Sequence, residues 1–192
     1  MTVDQRNSSN NPDAIPLLLE LGEGKSETGK PLLPFQRTAG GEAQAVFDDV
    51  QALLATSLLL SRQGFWHIGI GKGAIDEPTF KNAREGKGEA YINVREAVER
   101  AKKSSGHVAY ESDGKYAGLI EASLQLVLGL EEERSDSRQE VGELYEEGIT
   151  QTAIAEQLGT YQSAVSRLLK QGKWQESRRI IKELAGLLEE DQ

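Results

Sequence analysis

Two glycines, Gly148 and Gly159, cut the stretch from Ser137 to Lys170 into three short segments with helical apolar spacing. The first carries Val141, Leu144 and Tyr145, the second Ile154, Ala155 and Leu158, and the third Val165, Leu168 and Leu169. Helices this short are marginal in water, so none of the three stands unless it packs on the others. Glycine fits the left-handed position that closes a helix without a Cβ clash. Thr150 offers its side-chain oxygen to the free N–H groups at the start of the second segment. Leu144, Ile154, Leu158, Val165 and Leu169 then make a small shared core. Ala155 leaves room where the second helix must approach the third.

The third segment has a second face that this core does not use: Gln162, Ser163, Ser166, Arg167 and Lys170. These side chains hydrogen-bond to base edges and phosphates, so the unit reads as a helix-turn-helix with its third segment in the major groove of DNA. Charge agrees with that orientation. From 162 to 182 there are six basic residues (Arg167, Lys170, Lys173, Arg178, Arg179, Lys182) against Glu176 alone, whereas 131 to 156 holds nine acids against Arg134 and Arg138. Such an asymmetry turns one edge toward a polyanion.

The stretch resembles the helix-turn-helix of resolvase-type and sigma-factor region 4-type DNA-binding domains. Thr150-Gln151, Ile154-Ala155, Leu158-Gly159, Gln162-Ser163 and Val165-Ser166-Arg167 stand at the matching positions, over about 35 of 192 residues. The resemblance implies sequence-specific binding of duplex DNA. Two positions depart from it: Ala153 stands where an acid often completes a capping box, and Tyr161 where Ser or Thr usually caps the recognition helix. Thr160 is expected to take over as the cap, lengthening that helix by one residue.

A net charge of −9 argues against coating DNA nonspecifically and for a focused patch. With 192 residues and 38% hydrophobic content, one or two modest domains fit, and a large enzyme domain beside the three-helix unit does not. There is no cysteine, and His67 and His107 lie far apart in sequence, so neither a disulfide nor a metal site is expected. No stretch approaches the length of a membrane span, and Leu17-Leu18-Leu19 is too short for a signal-peptide core, which predicts a cytoplasmic protein.

Residues 1–40 hold four of the five prolines and several glycines, and read as a flexible arm from which Ile15 to Leu21 docks on the next domain. Residues 41–130 read as a small α+β domain of unknown role. In it the spacing predicts a long helix from Glu42 to Arg62, ended by Gly64, and a strand from Phe65 to Ile70. Asn93 to Glu96 reads as the start of a helix running to Lys103, Val108 to Glu111 as a strand closed by Asp113-Gly114, and Ile120 to Leu128 as a helix or, by alternation, a strand. The acidic run 131–136 reads as the linker to the module at 137–192, whose last part, Ser177 to Glu190, is an amphipathic helix with Ile180, Ile181, Leu184, Leu187 and Leu188 on one face. That stripe either pairs with a second copy or folds back on the three-helix core.

Two glycine motifs and two tryptophans invite functional readings. Gly24-Lys25-Ser26 ends like a P-loop but has Leu19 where the first glycine belongs, and Gly69-Ile-Gly71-Lys72-Gly73 reads as a glycine-rich turn, with an anion-binding loop as the alternative. Trp66 beside Phe65 reads as core, and Trp174 as packed beneath the third helix rather than stacked on DNA. No Ser/His/Asp or Cys/His arrangement supports catalysis. The expectation is therefore a mostly α protein with a C-terminal trihelical helix-turn-helix, a small α+β middle domain and a flexible arm. It binds double-stranded DNA as a homodimer through Thr150, Gln151, Tyr161, Gln162, Ser163, Ser166, Arg167, Lys170 and Lys173, without cofactor, as a transcriptional regulator. The alternatives are a DNA-binding adaptor of a partition, recombination or viral packaging machine, with the middle domain docking a protein partner, and a non-DNA interaction module.

Overall fold

The structure, a computed structural model, describes residues 1–23, 30–76 and 81–191. In chain order the elements are β1 (Thr2–Gln5), α1 (Ile15–Glu23), β2 (Leu33–Arg37), β3 (Glu42–Val46), α2 (Val50–Gln63), β4 (Trp66–Gly71), α3 (Glu89–Ala101), β5 (Val108–Glu111), α4 (Ala117–Glu132), α5 (Asp136–Glu146), α6 (Gln151–Gln157), α7 (Gln162–Gln171) and α8 (Trp174–Glu190). Helix predominates, around one mixed sheet of order β2-β3-β1-β4-β5.

The residues read as a flexible arm supply the middle strand of that sheet. Val3 of β1 is opposite Ala43 on one side and Ile68 on the other, and is fully buried. Ile15, Leu18 and Phe35 are buried in the same core. Proline and glycine content concealed this, because a four-residue strand carries little apolar mass of its own and draws its stability from two flanking partners. The docking of the Ile15 segment is as expected, whereas Gly24-Lys25-Ser26 lies outside the described residues.

The expected helix from Glu42 is a strand followed by a shorter helix. Ala43 and Ala45 alternate inward on β3, and the Asp49 carboxylate accepts from the Gln51 N–H to start α2, which Gly64 ends as predicted. The start expected at Asn93 is likewise displaced: α3 begins at Glu89, and the Asn93 side chain instead donates to the Lys72 carbonyl at 2.7 Å. β4 and β5 pair in parallel, joined by the α3 crossover. Asp113-Gly114 therefore leads from β5 into α4 and closes no hairpin. The residues from Ile120 to Leu128 are helical, not a strand.

Alternate residues of the sheet face opposite layers. Val3, Ala43, Ala45, Ile68, Ile70, Val108 and Tyr110 share a core with α1, α2, α4 and α8, while Ala109 packs with Ala97 and Ala101 of α3. Gly69 and Gly71 belong to β4 under α3 rather than to the glycine-rich turn expected. A Cβ on Gly69 would stand 2.7 Å from the Val98 Cα, and one on Gly71 2.6 Å from the Val94 Cα, so these glycines permit close packing of helix on strand. Trp66 is core, as expected. No helix among the described residues is long and apolar enough to cross a membrane.

The apolar stripe of α8 takes neither of its expected positions. Leu184, Ala185 and Leu188 are buried in the sheet domain's core, with Ile180, Ile181 and Leu187 packed at its margin. Exposing a buried leucine costs about 2 kcal/mol, so this stripe is not free to pair with another copy. The end of the helix is fastened as well. The Asp191 carboxylate accepts from the Tyr110 and Ser112 hydroxyls and the Tyr116 N–H, and Lys72 donates to the Leu188 carbonyl at 2.6 Å.

Residues 131–136 are not a loose linker. α4 runs through Glu132 and α5 follows at Asp136, with Ser135 at its N-cap. Glu131 is fully buried and meets three guanidinium groups: Arg134 at 2.5 Å, Arg62 at 3.3 Å and Arg178 at 3.5 Å. Arg134 also donates to the Gly172 carbonyl, Gln139 and Ser177. The cluster joins α2, α4, α5, the end of α7 and α8.

Candidate nucleic-acid interface

α5, α6 and α7 enclose a second core of Val141, Ile154, Ala155, Val165, Leu169 and Trp174, with Leu144, Tyr145, Ile149, Leu158 and Leu168 at its margin. Both turns between them close in the same way. Gly148 (φ +85°) lets the N–H of Ile149 reach the Leu144 carbonyl at 3.2 Å while its own N–H reaches Tyr145. Gly159 (φ +62°) repeats the pattern, with Thr160 N–H to Ala155 at 2.8 Å and its own N–H to Glu156. These paired bonds satisfy the last carbonyls of each helix and fix the exit angle of the chain.

The Thr150 hydroxyl accepts from the Ala153 N–H at 3.2 Å, the cap read from the sequence. Thr160 does not cap α7. Its N–H is spent closing α6, and Tyr161 occupies the N-cap with no side-chain bond to the helix. α7 therefore begins at Gln162, without the extra residue expected.

Val165 and Leu169 face the core, which turns the other side of α7 outward. Tyr161, Gln162, Ser163, Ser166, Arg167 and Lys170 are all exposed along that side, and Tyr161 stands out at 81%. Gln162 donates to the Gln151 side chain at 2.7 Å, so these two predicted residues form one polar unit across the turn. Thr150 lies at the exposed start of α6. Lys173, also exposed, takes a left-handed conformation (φ +52°) between α7 and α8. No acidic residue occurs from 161 to 173, and neither Arg167 nor Lys170 enters an ion pair among the described residues.

One residue counted with the basic edge belongs elsewhere. Arg178 pairs with Glu131 and Glu146 and lies over the Trp174 ring at 4.2 Å. Trp174 is buried, as expected, with Arg134 also over its ring at 4.6 Å. Sequence reasoning missed the Glu131–Arg134 pair, whose only signal was its one-turn spacing inside an acidic run. His67 and His107, far apart in sequence, come together with ring centroids 5.2 Å apart. Among the described residues no group of three or more potential metal ligands is found.

No family model, curated protein or solved structure matches the chain.

Proposed function

We propose that this chain is a sequence-specific double-stranded DNA-binding protein in which α5, α6 and α7 form a helix-turn-helix and α7 reads bases, most simply as a transcriptional regulator. The observation that carries the reading is the outer side of α7. Gln162, Ser163, Ser166, Arg167 and Lys170 are exposed together on a rigid three-helix core, with no nearby carboxylate on the segment to neutralise them. Glutamine pairs with adenine and arginine with guanine in the major groove, while Lys173, Lys170 and Tyr161 at the edges suit phosphate contacts. Thr150 and Gln151 lie at the start of α6, where a first helix crosses the backbone.

An acidic body with one basic edge disfavours nonspecific wrapping, so affinity rests on that edge. Selection of bound fragments from a random duplex pool tests the reading. A defined consensus supports it, and recovery of unselected sequence at physiological salt rejects it.

A further inference from the structure

The side of α8 turned away from the sheet carries Arg179, Glu183, Gly186 and Glu190, spaced at i, i+4, i+7 and i+11 and hence in one line along the helix. All four are exposed. None of the three charged side chains enters an ion pair among the described residues, and a Cβ on Gly186 would meet nothing within 4 Å. Glycine at an open helical position costs about 1 kcal/mol relative to alanine, with no contact among the described residues to offset it.

Beside this line lies a groove of about 430 Å³ whose lining includes Ser123 of α4 and Ile180 and Leu187 of α8. On α4, Leu119 and Leu126 flank Ser123 one turn before and after it, and they are 55% and 56% exposed. Tyr116 meets Asp191 while Glu131 meets Arg178, so α4 and α8 run antiparallel and form a two-helix face.

We propose that this face binds a second copy of the same chain about a two-fold axis, with the two α8 helices antiparallel. The charge order along α8 is complementary to its own reverse. In one antiparallel register Arg179 faces the partner's Glu190, Glu190 faces the partner's Arg179, and each Glu183 lies over the partner's Gly186, where no side chain stands in the way. A parallel pair would set Arg179 against Arg179. The exposed leucines of α4 lose water at the flank of the same contact.

Helices of 16 and 17 residues are roughly 25 Å long, and with axes about 10 Å apart they offer about 500 Å² in outline. That is below the ~800 Å² per partner of a standard interface, so the pair is a weak one that forms at micromolar concentration. The dimer stands on this face alone, whereas its use on an inverted repeat rests on the DNA-binding reading above.

Sedimentation equilibrium of the full chain, from about 1 to 200 μM, tests it. A reversible dimer is expected, with Arg179→Glu, Glu190→Arg and Leu126→Asp each raising its dissociation constant about tenfold or more. Arg179→Glu and Glu190→Arg combined in one chain exchange the charges of both contacts and restore the dimer. Unchanged melting temperatures verify that these surface variants fold. A wild type that stays monomeric throughout, or a combined variant no tighter than either single one, overturns the proposal. The DNA reading fails separately: Arg167→Ala is expected to remain dimeric while losing site-specific binding, and Arg179→Glu to retain a single half-site while losing the inverted repeat.

Discussion

Glu131 and Arg134 face each other at 2.5 Å with side chains 0% and 1% exposed, one turn apart where α4 gives way to α5. A buried pair of this kind adds little net stability when intact, but removing one member strands the other without compensation. Glu131→Ala is expected to cost about 3–5 kcal/mol in urea denaturation. Replacing both residues, as Glu131→Leu with Arg134→Met, is expected to cost less than the single change. A single variant within about 1 kcal/mol of wild type would mean that the cluster is solvated in practice.

On α7, Arg167→Ala and Gln162→Ala are each expected to lose about 1–3 kcal/mol of DNA binding and to relax preference at particular base pairs. Lys173→Ala is expected instead to weaken all sequences alike and to lower the salt slope by about one. Titration of a selected site and a scrambled duplex at several salt concentrations separates the two behaviours. Intact preference in Arg167→Ala would remove α7 as the reading element.

The start of α7 gives a test of register. Tyr161 sits at the N-cap without a side-chain bond, so Tyr161→Ser is expected to gain about 1 kcal/mol of stability. Thr160→Ala is expected to be near neutral, because its backbone rather than its hydroxyl closes α6. If Thr160→Ala is the costly change in thermal unfolding, the helix begins one residue earlier than its geometry indicates.

The two histidines give the molecule an acid-sensitive point. Burial above all holds the His67 imidazole below its usual value, helped by His107 and Arg6 and opposed by Asp4; burial followed by Arg6 does the same for His107, opposed by Glu132. Near pH 6.5 the unfolded chain therefore takes up protons that the folded chain refuses, and stability rises with pH through that region. The contribution is complete above about pH 6.5 and is lost as pH falls toward the depressed folded values. Melting temperature measured from pH 7.5 down to 5 is expected to fall less in a His67→Gln, His107→Gln double variant than in wild type. Parallel curves for the two proteins would show that the pair does not report on folding.

What the sequence made legible was local. Gly148, Thr150 and Gly159 act within a few residues of themselves, so the bounds of α5 and α6 and the outward side of α7 follow from spacing, whereas α7 starts one residue later than expected. Thr160 shows the limit of that reasoning: its hydroxyl looks like a cap, yet the first carbonyl to accept within α7 is that of Tyr161, which takes the N–H groups of Ala164 and Val165. Val3 was illegible because its partners are Ala43 and Ile68, one of them over sixty residues away. Glu131 was misread because a charge run usually marks solvent, and only the folded chain brings Arg62 and Arg178 to it. Leu184 and Leu188 were correctly seen as one stripe, but periodicity says that a stripe is covered, not by what.

α8 begins in one core and ends in the other, with Trp174 beneath α7 and Leu188 against the sheet. A helix anchored at both ends behaves as a drive shaft: it couples the outer side of α7 to the sheet domain. On a duplex held by two such bodies, moving the half-sites apart by about five base pairs would rotate one of them to the far side of the double helix. A tethered reader could swing across to follow it. On the proposed DNA-binding reading, a reader mounted on α8 could not, so the protein would gauge the helical phase of a duplex as strictly as its bases.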